Sequence, residues 1–199
     1  MIIAVTDRKI SRTEFLRQVG AIASSRPDML ILREKDLNAK EYERLAAECS
    51  EICDRHNVPF CVNSFVDVAG AMGSTRIQVP FVMLAHREDE LRSFRERWVS
   101  VHSLIEATEA ERMGATHLIY GNVYETSCKP GAEGKGTEGL RNILNSVSIP
   151  VFAIGGINAK NVNNVMRTGC AGVCVRSILM EAEYPGTVME GLRQHIKDQ

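Results

Sequence analysis

Ile154-Gly155-Gly156-Ile157 and Val175-Arg176-Ser177 carry the plainest chemistry in this chain. Each stretch sits where an apolar run gives way to a loop. Two such turns, ending neighbouring parallel strands, can offer backbone N–H groups to one phosphate. Glycine has no Cβ to block the approach of an anion. Taken alone, Gly155-Gly156 also reads as an ordinary tight turn. Its pairing with Arg176 and Ser177, late in a repeating strand–helix chain, favours a phosphate-bearing ligand.

Three further stretches hold side chains suited to binding or proton transfer. Arg33-Glu34-Lys35 follows the apolar Met29-Leu30-Ile31-Leu32, and two cations at one strand end suit a phosphate or carboxylate. The same residues also fit a solvated loop with a surface ion pair. His102 closes Trp98-Val99-Ser100-Val101, where an imidazole can shuttle a proton near neutral pH or be purely structural. From Asn122 to Gly136 the chain loses periodicity and gathers glycines, as a loop closing over a ligand does. Within it Thr126 and Ser127 can hydrogen-bond and Lys129 can pair with an anion. Cys128 has no evident base beside it to activate a nucleophile. Asp7, Glu34 and Glu125 stand at unrelated spacings, so no metal site is expected, and no cofactor.

These residues need elements that bring them to one place. Short β-branched runs recur at Ile2–Val5, Met29–Arg33, Pro59–Asn63, Arg76–Val79, Trp98–Val101, Thr116–Tyr120, Ile149–Ile154 and Gly172–Arg176. Several are nearly continuous apolar runs, the mark of parallel strands covered on both faces. Helix signals fall between them. Ser11-x-x-Glu14 and Ser103-x-x-Glu106 read as capping boxes, and Asn38-x-x-Glu41 as a similar start. Tyr42, Leu45, Ala46, Cys49, Ile52 and Cys53 trace one helical face. Gly114 and Gly169 follow helical runs they would end, Asn158 can cap the helix after the double glycine, and a last helix spans about 186–195.

The alternation predicts a closed (β/α)8 TIM barrel, a compact single domain over residues 1–199, with an open flavodoxin-like sheet as the alternative. At 199 residues the chain is short for a barrel that typically needs ~250, so its helices must be trimmed. Strand ends then share one mouth, which gathers Arg33, Asn63, Gln78, His102, Asn122, Gly155 and Arg176 among others.

A formal net charge of −1 gives no electrostatic case for nucleic acid or an anionic membrane. No apolar run approaches the ~18 residues of a membrane span. The opening Met1-Ile2-Ile3-Ala4-Val5-Thr6-Asp7 is too short and too soon charged for a signal peptide. The 6 cysteines form no C-x-x-C pair and no zinc spacing; they read as small core residues of a protein from a reducing cytoplasm. A homo-oligomer is left open.

In order, these motifs resemble the thiamine phosphate synthase superfamily over essentially the whole chain, and within it the TenI-type thiazole tautomerases. The carrying motifs are Leu32-Arg33-Glu34-Lys35, Val62-Asn63 with Val66-Asp67-Val68-Ala69, Ile77-Gln78-Val79-Pro80 and Ser100-Val101-His102-Ser103. The most specific runs from Gly121-Asn122-Val123-Tyr124-Glu125-Thr126-Ser127-Cys128-Lys129 through Gly136, and Ile154-Gly155-Gly156 and Val175-Arg176-Ser177 complete the set. The resemblance implies a barrel acting in thiamine biosynthesis. A synthase of this kind couples a hydroxymethylpyrimidine diphosphate to a thiazole phosphate with Mg2+, and carries Asn-Asp-Arg after strand three. Here that position reads Asn63-Ser64-Phe65.

A tautomerase instead turns the exocyclic-alkene form of a carboxythiazole phosphate into the aromatic isomer by moving a proton. The resemblance then puts phosphate on Gly155, Gly156, Arg176 and Ser177. By charge, the substrate carboxylate goes to Arg33 or Lys35, with Asn63, Thr126 and Lys129 as further substrate contacts. Asn122 stands where these tautomerases carry their acid–base histidine. An amide cannot relay a proton at neutral pH, so His102 becomes the substitute, with Glu34, Glu125 and Cys128 behind it. The alternatives are a non-catalytic thiazole- or thiamine-phosphate-binding regulatory protein and a divergent synthase.

Overall fold

The computed structural model describes residues 1–126 and 134–197. Strands β1 (Ile2–Val5), β2 (Met29–Leu32), β3 (Phe60–Asn63), β4 (Arg76–Pro80), β5 (Glu96–Val101), β6 (His117–Gly121), β7 (Val151–Ile154) and β8 (Gly172–Val175) pair in chain order. Each pairing is parallel, and β8 pairs with β1 to close the barrel. The closed ring rules out the open-sheet alternative.

Small shifts in strand ends have local causes. Pro59 and Pro150 have no N–H to donate, so β3 and β7 begin one residue after each. The N–H groups before Pro150, on Ser148 and Ile149, go to the Glu111 carboxylate at 2.7 and 3.2 Å. β2 stops at Leu32 because the Arg33 N–H turns to the Thr6 hydroxyl at 2.9 Å.

The period-2 alternation of the strands builds two cores. Ile3, Val5, Met29, Ile31, Cys61, Trp98, Ile119, Phe152 and Cys174 fill the barrel interior. Their neighbours, such as Ile2, Ala4, Leu30, Leu32, Val62, Val99 and Val173, face outward and pack under the helices. Near the barrel's N-terminal end His117 stacks on Trp98 with ring centroids 4.0 Å apart, and Phe152 tilts against Trp98 at 4.8 Å.

The covering helices are α1 (Phe15–Ser24), α2 (Ala39–Arg55), α3 (Val66–Ala71), α4 (Phe81–His86), α5 (Glu88–Leu91), α6 (Leu104–Arg112), α7 (Gly136–Leu144), α8 (Val162–Met166), α9 (Ser177–Met180) and α10 (Pro185–Lys197). Several are short, which is how so small a chain closes the ring. The capping box at Asn38 and Glu41 forms in both directions. At Ser103 only half of one forms: Ser103 takes the Glu106 N–H at 3.1 Å, while the Glu106 carboxylate takes the His102 N–H at 2.6 Å. Two expected caps are corrected. α1 is capped by the Glu14 carboxylate, which accepts from Leu16 and Arg17, and the Ser11 hydroxyl is buried without a partner among the described residues. Asn161, not Asn158, directly precedes α8 and donates to the Gly156 carbonyl at 2.9 Å, while Asn158 caps the turn leading in, its side chain taking the Lys160 N–H at 2.9 Å and its carbonyl the Val162 N–H at 2.9 Å. Among the described residues no helix is long and apolar enough to cross a membrane.

Candidate active site at the barrel mouth

A cavity of ≈ 400 Å³ opens at the C-terminal ends of the strands. Arg33, Lys35, Asn63, His102, Asn122, Thr126, Gly155, Gly156, Arg176 and Ser177 all line it. Lys129, and with it Ser127 and Cys128, lies outside the described residues.

The double glycine meets a constraint that sequence reasoning assigned to the ligand. Gly155 has φ +105° and Gly156 φ +64°. A Cβ on Gly155 would lie 2.5 Å from the Asn122 Cβ, and one on Gly156 would lie 2.4 Å from the Glu125 carbonyl oxygen. The segment after β6 thus rides directly on the turn after β7, fastened by Val123 N–H to Ile154 O at 2.9 Å and Tyr124 N–H to Gly155 O at 3.0 Å. Glycine is required there for packing, whatever the ligand. The N–H groups of Gly155, Gly156 and Ser177 donate to no acceptor among the described residues. Beside them the Arg176 guanidinium sits 3.5 Å from Asp7.

The loop after β2 divides into an inward and an anchored part. Arg33 and Lys35 face the cavity, whereas Glu34 between them is 2 % exposed and holds the barrel together. Its carboxylate accepts from the Thr6 hydroxyl at 2.7 Å and from the Arg8 N–H at 3.0 Å. Burial pushes its pKa up against those hydrogen bonds. Glu34 is therefore a brace between the ends of β1 and β2, and it drops out as an acid–base candidate. Arg8 is engaged in turn by Asp36, at 2.6 and 2.9 Å. That guanidinium, with Lys9, holds Asp36 well below the usual carboxylate range.

A polar chain crosses from β3 to β5. Asn63 donates to Gln78 at 2.5 Å and Gln78 to the Ser100 hydroxyl at 2.8 Å. Tyr42 of α2, fully buried, supports this wall from behind. Its hydroxyl donates to the Leu32 carbonyl at 2.5 Å and accepts from the Asn63 N–H at 2.9 Å. Desolvation drives its pKa far up, so it remains a neutral phenol.

His102 stands next to Asn122. Its Nδ1 lies 2.7 Å from the Gly121 carbonyl oxygen, which can only accept. Nδ1 therefore carries the proton in this contact, which makes Nε2 the lone-pair nitrogen of the neutral imidazole. The Lys135 ammonium bonds the His102 carbonyl, and the Lys135 and Gly136 N–H groups bond the Asn122 and Val123 carbonyls at 3.0 and 2.8 Å. Both described ends of the β6–α7 connection are thereby held at the cavity edge.

Sequence reasoning passed over Ser100, Tyr42 and Asn161, and named Gln78 only as a strand end. Strand parity finds two of them: stepping by two from interior Trp98 gives Ser100, and Gln78 is the middle inward position of β4, level with Trp98.

A Mg2+ for diphosphate chemistry, which the resemblance to synthases implies, does not fit the donor set. Glu125 is the one carboxylate lining the cavity among the described residues, Glu34 is spent on Thr6 and Arg8, and Asp7 faces Arg176. No three His, Cys, Asp or Glu side chains converge among the described residues.

A closed (β/α)8 TIM barrel with its polar cavity at the C-terminal mouth is the class of protein that this geometry defines. Residues 2–179 match the family model described as thiamine monophosphate synthase. A thiamine-phosphate synthase of Clostridium acetobutylicum is 35% identical over 182 residues, covering 90% of this chain and 86% of that one. One from Pyrococcus horikoshii is 34% identical, covering 98% and 93%. The solved thiamine phosphate pyrophosphorylase from Pyrococcus furiosus superposes with a TM-score of 0.84 at 30% identity, covering 99% of this chain and 95% of that one. The chain belongs to the thiamine monophosphate synthase family, whose members act in thiamine biosynthesis.

Proposed function

We propose that the mouth binds a phosphorylated carboxythiazole and aromatises it by proton transfer, as a TenI-type thiazole tautomerase does. One observation carries this reading: the Nδ1–H of His102 is committed to the Gly121 carbonyl, so its Nε2 lone pair is free to act as a base beside Asn122. The uncommitted N–H groups of Gly155, Gly156 and Ser177, with Arg176, hold the phosphate. Arg33 or Lys35 takes the carboxylate, with Thr126 and Lys129 as further contacts. His102 Nε2 removes the ring C–H proton, the electron pair moves into the ring as the exocyclic double bond shifts inward, and the imidazolium so formed returns a proton to the exocyclic carbon. Aromaticity supplies the drive, and no cofactor enters. Asn122 contributes a hydrogen bond and no proton.

The names of the relatives favour a second reading, a divergent thiamine-phosphate synthase. The sparse carboxylates of the described mouth weigh against it. One pair of assays separates the two. Incubation with the exocyclic carboxythiazole phosphate should give faster ultraviolet-detected aromatisation than a no-enzyme control. Equal rates overturn the tautomerase reading. Mg2+-dependent pyrophosphate release from hydroxymethylpyrimidine diphosphate plus thiazole phosphate would establish the synthase. Tight thiazole phosphate binding without either reaction would mark a regulatory binding protein.

A further inference from the structure

Two side-chain amides at the mouth have their orientations fixed by main-chain carbonyls. Asn63 Nδ2 donates to the Gln78 carbonyl at 3.3 Å and to the Gln78 side-chain oxygen at 2.5 Å. Gln78 Nε2 donates to the Val79 carbonyl at 3.0 Å and to the Ser100 hydroxyl at 2.8 Å. A carbonyl has no proton to give, so the atom facing it is the NH2 end of each amide. Every N–H of both amides is then engaged. Asn63 and Gln78 are 3 % and 4 % exposed, so exchange of these bonds for water is hindered.

Two groups remain for a ligand. Asn63 Oδ1 receives no hydrogen bond among the described residues and can only accept. Ser100 uses its oxygen to accept from Gln78, which leaves its O–H proton free to donate. Both residues line the cavity. We infer that Gln78 is a positioning residue: it makes Ser100 a donor to a neutral acceptor atom of the ligand and bars Asn63 from holding an anion. This rests on the reading of the mouth as the ligand site. Phosphate and carboxylate are thereby confined to the Gly155–Arg176 and Arg33–Lys35 sides. A ring nitrogen is such a neutral acceptor, and a preset donor at Ser100 would hold the ring in register for the proton transfer.

Gln78→Glu keeps the shape and the acceptor for Asn63 but removes both donors, so Ser100 turns its proton onto residue 78. Ser100→Ala is expected to lower kcat/KM for aromatisation about tenfold with little change in Tm, and Gln78→Glu to lower it similarly with a reduced Tm, because a buried carboxylate then faces the Val79 carbonyl. Side-chain amide NMR of labelled protein supplies an arm that needs no turnover. The Asn63 amide protons should exchange slowly in the wild type and stay in place as inorganic phosphate is titrated in. In Gln78→Leu they should exchange fast, and if that variant misfolds, Gln78→Glu and the wild type still decide. Fast exchange or a phosphate-induced shift of the wild-type Asn63 amide overturns the inference, as does an unchanged kcat/KM in Ser100→Ala. A wild type that fails to aromatise the substrate sinks the reaction and leaves the amide readout to judge Gln78.

Discussion

The His102 imidazole Nδ1 lies 2.7 Å from the carbonyl oxygen of Gly121, the residue just before Asn122. On the proposed tautomerase reading, the base that Asn122 cannot supply comes from the neighbouring strand end. His102 is exposed, so its removal leaves the core intact. His102→Gln should lower kcat for aromatisation by about 10²–10⁴ with Tm unchanged. Full activity in that variant would mean that another group moves the proton.

Arg33→Ala should weaken binding of the carboxythiazole phosphate about tenfold or more, since a charge-assisted contact is lost. The residue sits at the rim, so urea unfolding should barely move. Titration calorimetry giving equal affinity would take Arg33 out of the site.

Gly156→Ala places a methyl group 2.4 Å from the Glu125 carbonyl oxygen, on a backbone with φ +64°. Strain and clash together should cost about 2 kcal/mol or more in urea unfolding. A neutral substitution would show that the segment after β6 yields freely.

Tyr42→Phe removes a hydroxyl bonded to both the Leu32 carbonyl and the Asn63 N–H in a fully buried place. The two backbone groups lose their partner, and the expected loss is about 1–3 kcal/mol by chemical denaturation. No loss would mean that the strand ends find each other without it.

Burial pushes the His117 imidazole below its ordinary 6.5, with Glu96 opposing and Arg76 adding to the shift. Between the lowered value and the ordinary one the unfolded chain binds the extra proton. Stability therefore falls on acidification through that window and levels off below it, where both states carry the proton. His117→Gln should flatten the fall in urea midpoint on acidification through the ordinary 6.5. An equally steep fall would place the dependence on other groups.

The strands were legible because parallel β-strands under helices need apolar, β-branched runs, and Pro59 and Pro150 punctuate two of them. Closure followed from counting eight such runs in a chain with no second sheet to feed. Less could be read at the mouth. Arg33, Lys35, His102 and Arg176 announce themselves by charge and by standing where apolar runs stop. Gln78 and Ser100 carry no charge, and only inward parity singles them out. Glu34 looked like a mouth residue because the sequence shows its neighbours and not the Thr6 hydroxyl that turns it aside. Tyr42 reads as one more apolar position on a helix face, and its hydroxyl gains meaning only when β2 and β3 lie against it. The double glycine was assigned to an anion, while its Cβ space belongs first to Asn122 and Glu125.

The rings of Trp98 and His117, stacked, and of Phe152, tilted against them, act as a stopper in the lower half of the barrel. Traffic is therefore one-way in geometry and two-way in time: whatever enters from above must back out by the same door. On the proposed reading, a departing product and an arriving substrate share that mouth, so a slow exit would throttle the next turnover however fast the proton moves.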